Sequence, residues 1–322
     1  VLGASNVRVS VLIPVFNGEA SIVKALSCVT EQSLESLEVI VVDDASTDGT
    51  SHLVEREALK DQRIKLIRLE ENVGPGSARA AGLRVASGKW ISILDADDWI
   101  APTRLETLVN EAEANGLDAI ADNLALVDPG LGTVVGTAFP LVAEDKVDIT
   151  IDSFLRNSLP GAKVNLGWMQ PVVRSEFLAQ HKISWPSLRH AEDMVFQARM
   201  LIAGARFSLK GEALYHYTQR RGTRSGKASN LSKTKRSIRD QQEAVAIILQ
   251  EVEASKLSRF SQYRLAKLPH EIEATSHALN CRDALQSRQL LAAAVEAFRA
   301  IGRPTALLRC LAVRYLVGEK LR

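Results

Sequence analysis

The sequence is poor in cysteine and has no long apolar run. Cys28, Cys281 and Cys310 are far apart, odd in number and lack any metal-ligand spacing. That pattern suits a reducing compartment in which the thiols are small buried hydrophobes. No stretch of about 18 apolar residues reads as a membrane-spanning helix, and the start of the chain has no signal-peptide pattern. A cytoplasmic location is expected. Charge of one sign is scarce too: 40 Lys and Arg against 38 Asp and Glu leave a net charge of +2. No global field therefore argues for nucleic acid. No internal repeat is found. What is present, 322 residues with 46% hydrophobic and 24% charged content, fits a soluble globular protein of one large or two ordinary domains.

The first 130 residues alternate β-rich runs with helical patterns. Strands are expected at Val9 to Val15, Leu37 to Asp43, Arg63 to Leu69 and Lys89 to Asp95. Helices are expected at about Glu19 to Glu31, Asp48 to Leu59 and Gly76 to Ala86, then from Pro102 to Asn115 with Gly116 just beyond the end. Repeated strand-helix-strand units predict a parallel sheet with right-handed crossovers. Ligands collect outside the carboxyl ends of such strands. Three polar clusters fall there: "FNGE" after the first strand, "DDASTDGT" after the second and "DADD" after the fourth.

From Leu131 to Tyr217 the pattern is less regular. Short helices are expected in "DSFLRN" and "SEFLAQHK", a longer one in "EDMVFQARMLIAG", and a strand-turn-strand in "ARFSLKGEALYHY". A basic loop, Thr218 to Asn230, precedes a helical remainder in which "SIRDQQEAVAIILQEVEAS" is one of the strongest patterns.

Asp95, Asp97 and Asp98 crowd negative charge at the end of an apolar run. Such a group needs water or a cation, and carboxylate oxygens suit Mg²⁺ or Mn²⁺ with positions left for phosphate. The alternative is an acidic helix start complementing the dipole, with Pro102 opening the helix. Asp44, Ser46, Asp48, Gly49, Thr50 and Glu55 match the spacing of a calcium loop, but a strand, not a helix, leads into them. They read as a strand-end turn, with Asp44 open to a ligand and Ser46 to Thr50 capping the next helix.

"NVGPGSARAAG" brings glycines and Pro75 to a helix start, with Arg79 in reach of a phosphate or a nucleobase carbonyl. In "RHAEDMVF", Glu192 and Asp193 either complement the start of a helix or supply a general base. Arg220, Arg221 and Arg224 form either a solvated basic loop or a cover for a leaving diphosphate.

Taken in order, "VSVLIPVFNGE", "VIVVDDASTDGT", "ENVGPGSARAAGL", "GKWISILDADDW" and "HAEDMVF" resemble the successive motifs of family 2 glycosyltransferases over about residues 9–225. The resemblance implies an α/β GT-A fold: a Rossmann-like, mostly parallel sheet flanked by helices, here with a C-terminal helical extension. Residues 1–228 would be the glycosyltransferase domain, with 1–130 binding the donor and 131–228 the acceptor, and 229–322 a helical region.

The resemblance also implies roles. Pro14, Phe16, Glu19, Asp44 and Arg79 would hold the nucleobase and ribose. Asp95 and Ala96 would approach the ribose or donor sugar. Asp97, with Asp98 and His216, would serve an Mn²⁺ or Mg²⁺ ion on the diphosphate, and Arg221 and Arg224 would cover it. Asp193 matches the catalytic base, oriented by Glu192. The reaction implied is inverting transfer of one hexose from a UDP-sugar, UDP-glucose first, to a lipid-linked or growing cell-surface polysaccharide. The Q-x-x-R-W signature of processive synthases is absent.

Rival readings are a transferase acting on a protein or small molecule, and a non-catalytic sugar-nucleotide sensor, which would need no base. Residues 301–322 interleave five cations with Leu, Val and Tyr. They suit either a helix on an anionic membrane surface, placing the protein at the inner face of the plasma membrane, or one packed on the core or on a second subunit in a homodimer.

Overall fold

A computed structural model describes residues 7–140, 146–158, 162, 164–219 and 235–252. Arg220, Arg221, Arg224, Cys281, Cys310 and the basic segment 301–322 lie outside the described residues.

The first half follows the apolar pattern closely. Strands β1 (Val9–Val15), β2 (Leu37–Asp43), β3 (Ile64–Arg68) and β4 (Trp90–Ile93) alternate with helices α1 (Ile22–Thr30), α2 (Thr50–Ala58) and α3 (Pro75–Val85). β2 is buried at every position, as a continuous Val/Ile run covered on both faces requires. Residues 99–127 then give β5 (Trp99–Ile100), α4 (Arg104–Asn115), β6 (Ala119–Ala121) and β7 (Leu124–Val127). Beyond them come β8 (Val134–Thr137), β9 (Lys146–Ile149), α5 (Ile151–Arg156), β10 (Val172–Arg174), α6 (Ser175–Gln180) and α7 (Glu192–Ile202). The described chain closes with β11 (Phe207–Lys210), β12 (Tyr215–Thr218) and α8 (Lys235–Glu251).

Two sheets result. The larger has the order β3-β2-β1-β4-β10-β6-β11-β9 and the smaller β5-β12-β7-β8. β1 pairs in parallel with β2 on one side and with β4 on the other. The chain therefore steps outward through β2 and β3 and returns across β1, opening a crevice at the carboxyl ends of β1 and β4.

The fourth helix starts later than the sequence suggests. Pro102 stands in a turn closed by Arg104 N–H donating to Ala101 O at 3.0 Å, and α4 begins at Arg104. Gly116 ends it in the left-handed conformation at φ 61°, as expected of a C-terminal glycine. Because β5 separates Asp97 and Asp98 from α4, those aspartates do not complement that helix's dipole, whose influence is confined to its first turn.

The strand-turn-strand expected at Ala205 to Tyr217 is two strands in two different sheets. Residues between them are bent into place by Asp122: its Oδ2 accepts from Leu214 N–H at 2.9 Å, while Oδ1 accepts from Arg104 at 2.7 Å. Both partners of this ion pair are fully buried. Removing one would strand a charge in the core, at a cost of about 3–5 kcal/mol. α8 packs into the same core through Ala244, Val245 and Ile248, and Glu251 pairs with Arg199 of α7 at 2.8 Å. Among the described residues, no helix is long and apolar enough to cross a membrane.

Candidate active site

The loops after β1 and β2 are laced together. Asn17 N–H donates to Ser46 Oγ at 2.9 Å, Gly18 N–H to Thr50 Oγ1 at 2.8 Å, and Gly49 N–H to Glu19 Oε2 at 3.1 Å. α2 takes Gly49 as its N-cap, and Asp48 Oδ1 accepts from Thr50 N–H at 3.0 Å, so capping comes from Asp48. Pro14 is half-buried and Phe16, the first residue past β1, is 51% exposed. Asp44 is buried and turned to the loop before α3, accepting from Val73 N–H at 2.7 Å and Gly74 N–H at 2.8 Å. It fixes the "NVGPG" loop.

That loop brings α3 against the segment leading into α7. A Cβ on Gly76 would stand 2.2 Å from Pro186 O, so only glycine permits this approach. The result is a buried cluster. Arg79 Nη1 donates to Glu192 Oε1 at 2.6 Å, Nη2 donates to Asp95 Oδ1 at 2.7 Å, and Asp193 Oδ2 stands 3.5 Å from Nη2. Burial would lower the guanidinium's proton affinity, but Asp193, Asp95 and Glu192 outweigh it and hold Arg79 above its ordinary value. Arg79, expected in the nucleotide pocket, thus ties the end of β4 to the start of α7.

Asp193 is further held by Trp185, whose indole N–H donates to Oδ1 at 2.8 Å. Trp185 in turn stacks on Phe196, with centroids 3.7 Å apart. Burial pushes the Asp193 carboxyl up to about 7, against the lowering pull of Arg79, with Glu192 and Asp95 adding repulsion. One fifth of its side chain remains open to solvent. A carboxylate so placed is a strong base near neutrality and can still be reached.

The four residues of "DADD" separate into different environments. Asp95 faces Arg79, and its N–H donates to Tyr215 Oη at 3.1 Å. Ala96 is half-buried, and a Cβ on Gly18 would lie 3.9 Å from its own, so the loops after β1 and β4 meet there. Asp97 is exposed, and its carbonyl accepts from Thr218 Oγ1 at 2.6 Å. Asp98 is buried, accepting from Tyr215 Oη–H at 2.9 Å and Thr218 N–H at 2.7 Å. Burial, then the charges of Asp95 and Asp97, raise the Asp98 carboxyl well above the usual range.

His216 alternates with Tyr215 along β12 and so lies on the opposite face. It stacks on Trp99 at 5.1 Å, with Lys24 over the same indole at 3.0 Å. Its Nδ1 is buried without a hydrogen-bond partner, and burial lowers its proton affinity. Asp97, Asp98 and His216 therefore do not converge. Among the described residues, no three His, Cys, Asp or Glu side chains gather where they could hold an ion.

Asp97 nonetheless fits a hard divalent cation as a single carboxylate ligand at the crevice, in the manner of Mg²⁺ bound by one or two carboxylates and substrate phosphates.

Three side chains of the site escape a reading based on titratable motifs. Trp185 and Tyr215 act through one N–H and one O–H, and Arg104 acts from the core, packed under the Tyr215 ring at 5.1 Å. The only trace in the sequence is an aromatic seven residues before the acidic helix start at Glu192 and another after "GEAL".

Comparisons with known proteins agree with this fold. Residues 10–140 match the family model described as Glycosyl transferase family 2. A succinoglycan biosynthesis protein, ExoO of Rhizobium meliloti, is 34% identical over 67% of this chain and 62% of its own length. The chain thus spans about three fifths of that curated relative. The Staphylococcus aureus TarS structure in complex with UDP-GlcNAc superposes with a TM-score of 0.61 at 24% identity, over 83% of this chain and 72% of that one. A mannosyltransferase from Pyrobaculum calidifontis in complex with GDP-Man and Mn²⁺ gives 0.56 at 21% identity, over 98% and 86%. With the crevice at the ends of β1 and β4 and the motif order already described, residues 10–140 of this chain are a family 2 glycosyltransferase domain of GT-A fold.

Proposed function

We propose that this chain is an inverting glycosyltransferase that moves one hexose from a UDP-sugar, UDP-glucose first, to a hydroxyl of a growing or lipid-linked cell-surface polysaccharide. The observation that carries the reading is Asp193: a largely buried carboxylate raised to about 7, held at both oxygens and joined through Arg79 to the end of β4. A cleft carboxylate raised by burial and repulsion, with a charged partner to orient it, is the arrangement that general-base chemistry uses and that sugar binding alone does not require. The likeness to ExoO supports an exopolysaccharide product, and the TarS complex supports a UDP-linked donor.

In this reading the uracil and ribose lie over Pro14, Phe16 and Glu19, beside the loop that Asp44 fixes. The donor sugar approaches Asp95 and Ala96. Asp193 removes the proton of the acceptor hydroxyl as it attacks the anomeric carbon from the face opposite the departing diphosphate. Glu192 and Arg79 hold Asp193 in line. Asp97 would hold Mn²⁺ or Mg²⁺, which when bound neutralises charge on the leaving diphosphate. Asp98 contributes by keeping the turn that presents Asp97 pinned to Tyr215 and Thr218. Arg221 and Arg224 are proposed to cover the diphosphate, and segment 301–322 to lie on a membrane or a second subunit.

The test is release of UDP from UDP-glucose, UDP-galactose and UDP-N-acetylglucosamine in the presence of Mn²⁺, beside calorimetric titration of UDP. At least one donor should be turned over. No turnover of any donor, with no binding of UDP, would overturn the reading.

A further inference from the structure

An aromatic pair at the edge of the site, exposed at Trp168 and half-buried at Tyr217, is left without a task by everything above. Trp168 ends the short 3-10 turn Leu166–Trp168 and is 50% exposed. Its ring lies near-parallel to that of Tyr217 on β12, with centroids 6.0 Å apart and an interplanar angle of 13°. Because its chain neighbours Gly167 and Met169 are buried, the half-exposed Trp168 is a firmly seated apolar surface open to solvent.

The pair is anchored to both halves of the chemistry. Next to Tyr217, Thr218 donates its N–H to Asp98 and its hydroxyl to the Asp97 carbonyl, at 2.7 and 2.6 Å. Next to Trp168, a Cβ on Gly167 would lie 3.4 Å from Cβ of Met194, the residue after Asp193. Gln197 of α7 fixes that turn, donating to Met169 O at 2.8 Å and Gly167 O at 3.3 Å. Gln170, two residues on, reaches Asp95 Oδ2 at 3.5 Å. The aromatic surface is thus tied through β12 to the donor-side carboxylates and through α7 to the base.

We propose that Trp168 and Tyr217 form a platform for the acceptor sugar, stacking the C–H face of a hexopyranose beside Asp193. The electron-rich face of an aromatic ring attracts the polarised C–H bonds on one face of a pyranose, while the sugar hydroxyls stay at the rim in water. A nucleobase would also stack on such a surface, but Phe16 and the laced loops after β1 and β2 already offer that partner a site. The proposal rests on the glycosyltransferase reading and names where its acceptor binds.

The experiment is saturation-transfer NMR on the full chain with UDP and Mn²⁺ in excess. Its probes are methyl β-D-glucopyranoside, methyl β-D-galactopyranoside and cellotetraose. UDP affinity is measured by calorimetry on the same samples. Saturation should appear on the ring C–H protons of at least one probe and fall about fivefold or more in Trp168→Ala, the scale of one lost aromatic contact. Trp168→Phe, which keeps a ring, should restore most of it, and UDP affinity should be the same in all three proteins. Equal saturation in wild type and Trp168→Ala would overturn the platform, as would no saturation from any probe in a wild type that binds UDP. A wild type that fails to bind UDP would instead strike the donor reading on which the platform rests.

Discussion

Arg79 Nη1 and Glu192 Oε1 stand 2.6 Å apart although the residues are separated by 113 positions in the sequence. The other arm of the same guanidinium reaches Asp95 at 2.7 Å, so one side chain spans the end of β4 and the helix that carries the proposed base. A planar fork can do this and an ammonium cannot. Arg79→Lys should therefore keep the charge yet lower turnover about tenfold or more, with a fall in melting temperature of roughly 2–4 °C per kcal/mol lost. Steady-state kinetics beside a thermal melt check this; unchanged turnover would remove Arg79 from the positioning of Asp193.

Asp193→Asn should lower turnover by about 10²-fold or more while UDP binds as before. The Asp193 carboxyl is raised in the folded chain, so the proton is bound more tightly there than in the unfolded chain, and ionisation destabilises the fold as pH rises through about 7. The neutral amide escapes that cost. Asp193→Asn should accordingly melt at or above the wild-type temperature at pH 8, and a marked drop would contradict the assigned electrostatics.

The same carboxyl sets the pH profile. A base must be ionised, so kcat should fall as pH drops through about 7, and the limb should move to lower pH if Glu192 is replaced by Gln, since Glu192 raises the Asp193 value by repulsion. A profile flat from pH 5 to 8 in stopped assays would be the contrary result.

Asp97→Ala should abolish whatever gain in UDP affinity Mn²⁺ brings, leaving metal-free affinity unchanged. Calorimetric titration with Mn²⁺ and with EDTA separates the two. Equal gains in variant and wild type would show that the ion is held elsewhere.

Glu38 gives a test of the fold apart from the chemistry. It is buried in β2 and accepts from Ser10 Oγ at 2.6 Å, from Ser87 N–H at 2.7 Å and from Lys65 at 2.6 Å. Burial would raise this carboxyl, but Lys65, Ser10 and Ser87 outweigh it and hold it at about 2. Its contribution is present above its ordinary value of 4.5 and is lost as pH falls toward 2. Glu38→Gln should cost about 1–3 kcal/mol at pH 7 by urea denaturation, and the gap to wild type should close at acid pH.

The stretch from β1 to β4 was legible because its signals are long and redundant. Seven-residue apolar strands and nine- to eleven-residue helices leave clear periodicities, and β1 to β4 lie within a residue or two of where the pattern puts them. Much of what lies beyond β4 was not, because β5, β6 and β10 have only two or three residues each, too few to show a period. "ARFSLKGEALYHY" reads correctly as two strands, yet their separation into two sheets depends on Asp122, a partner 92 residues from Leu214. Within the site, motifs located the carboxylates but not their surroundings. Asp97 and Asp98 are adjacent and look alike in sequence; only the arrival of β12 makes one exposed and the other buried.

At Gly76 the helix backbone meets the carbonyls of Pro186 and Leu188 with no side chain between them. Spacing there is set by atomic radii, so exchanges among neighbouring core residues can change how firmly the protein holds together without changing how far Asp193 stands from Asp95. The reach across the crevice is, in effect, insulated from drift in the packing around it, and Gly76→Ala should disturb catalysis out of proportion to the single methyl it adds.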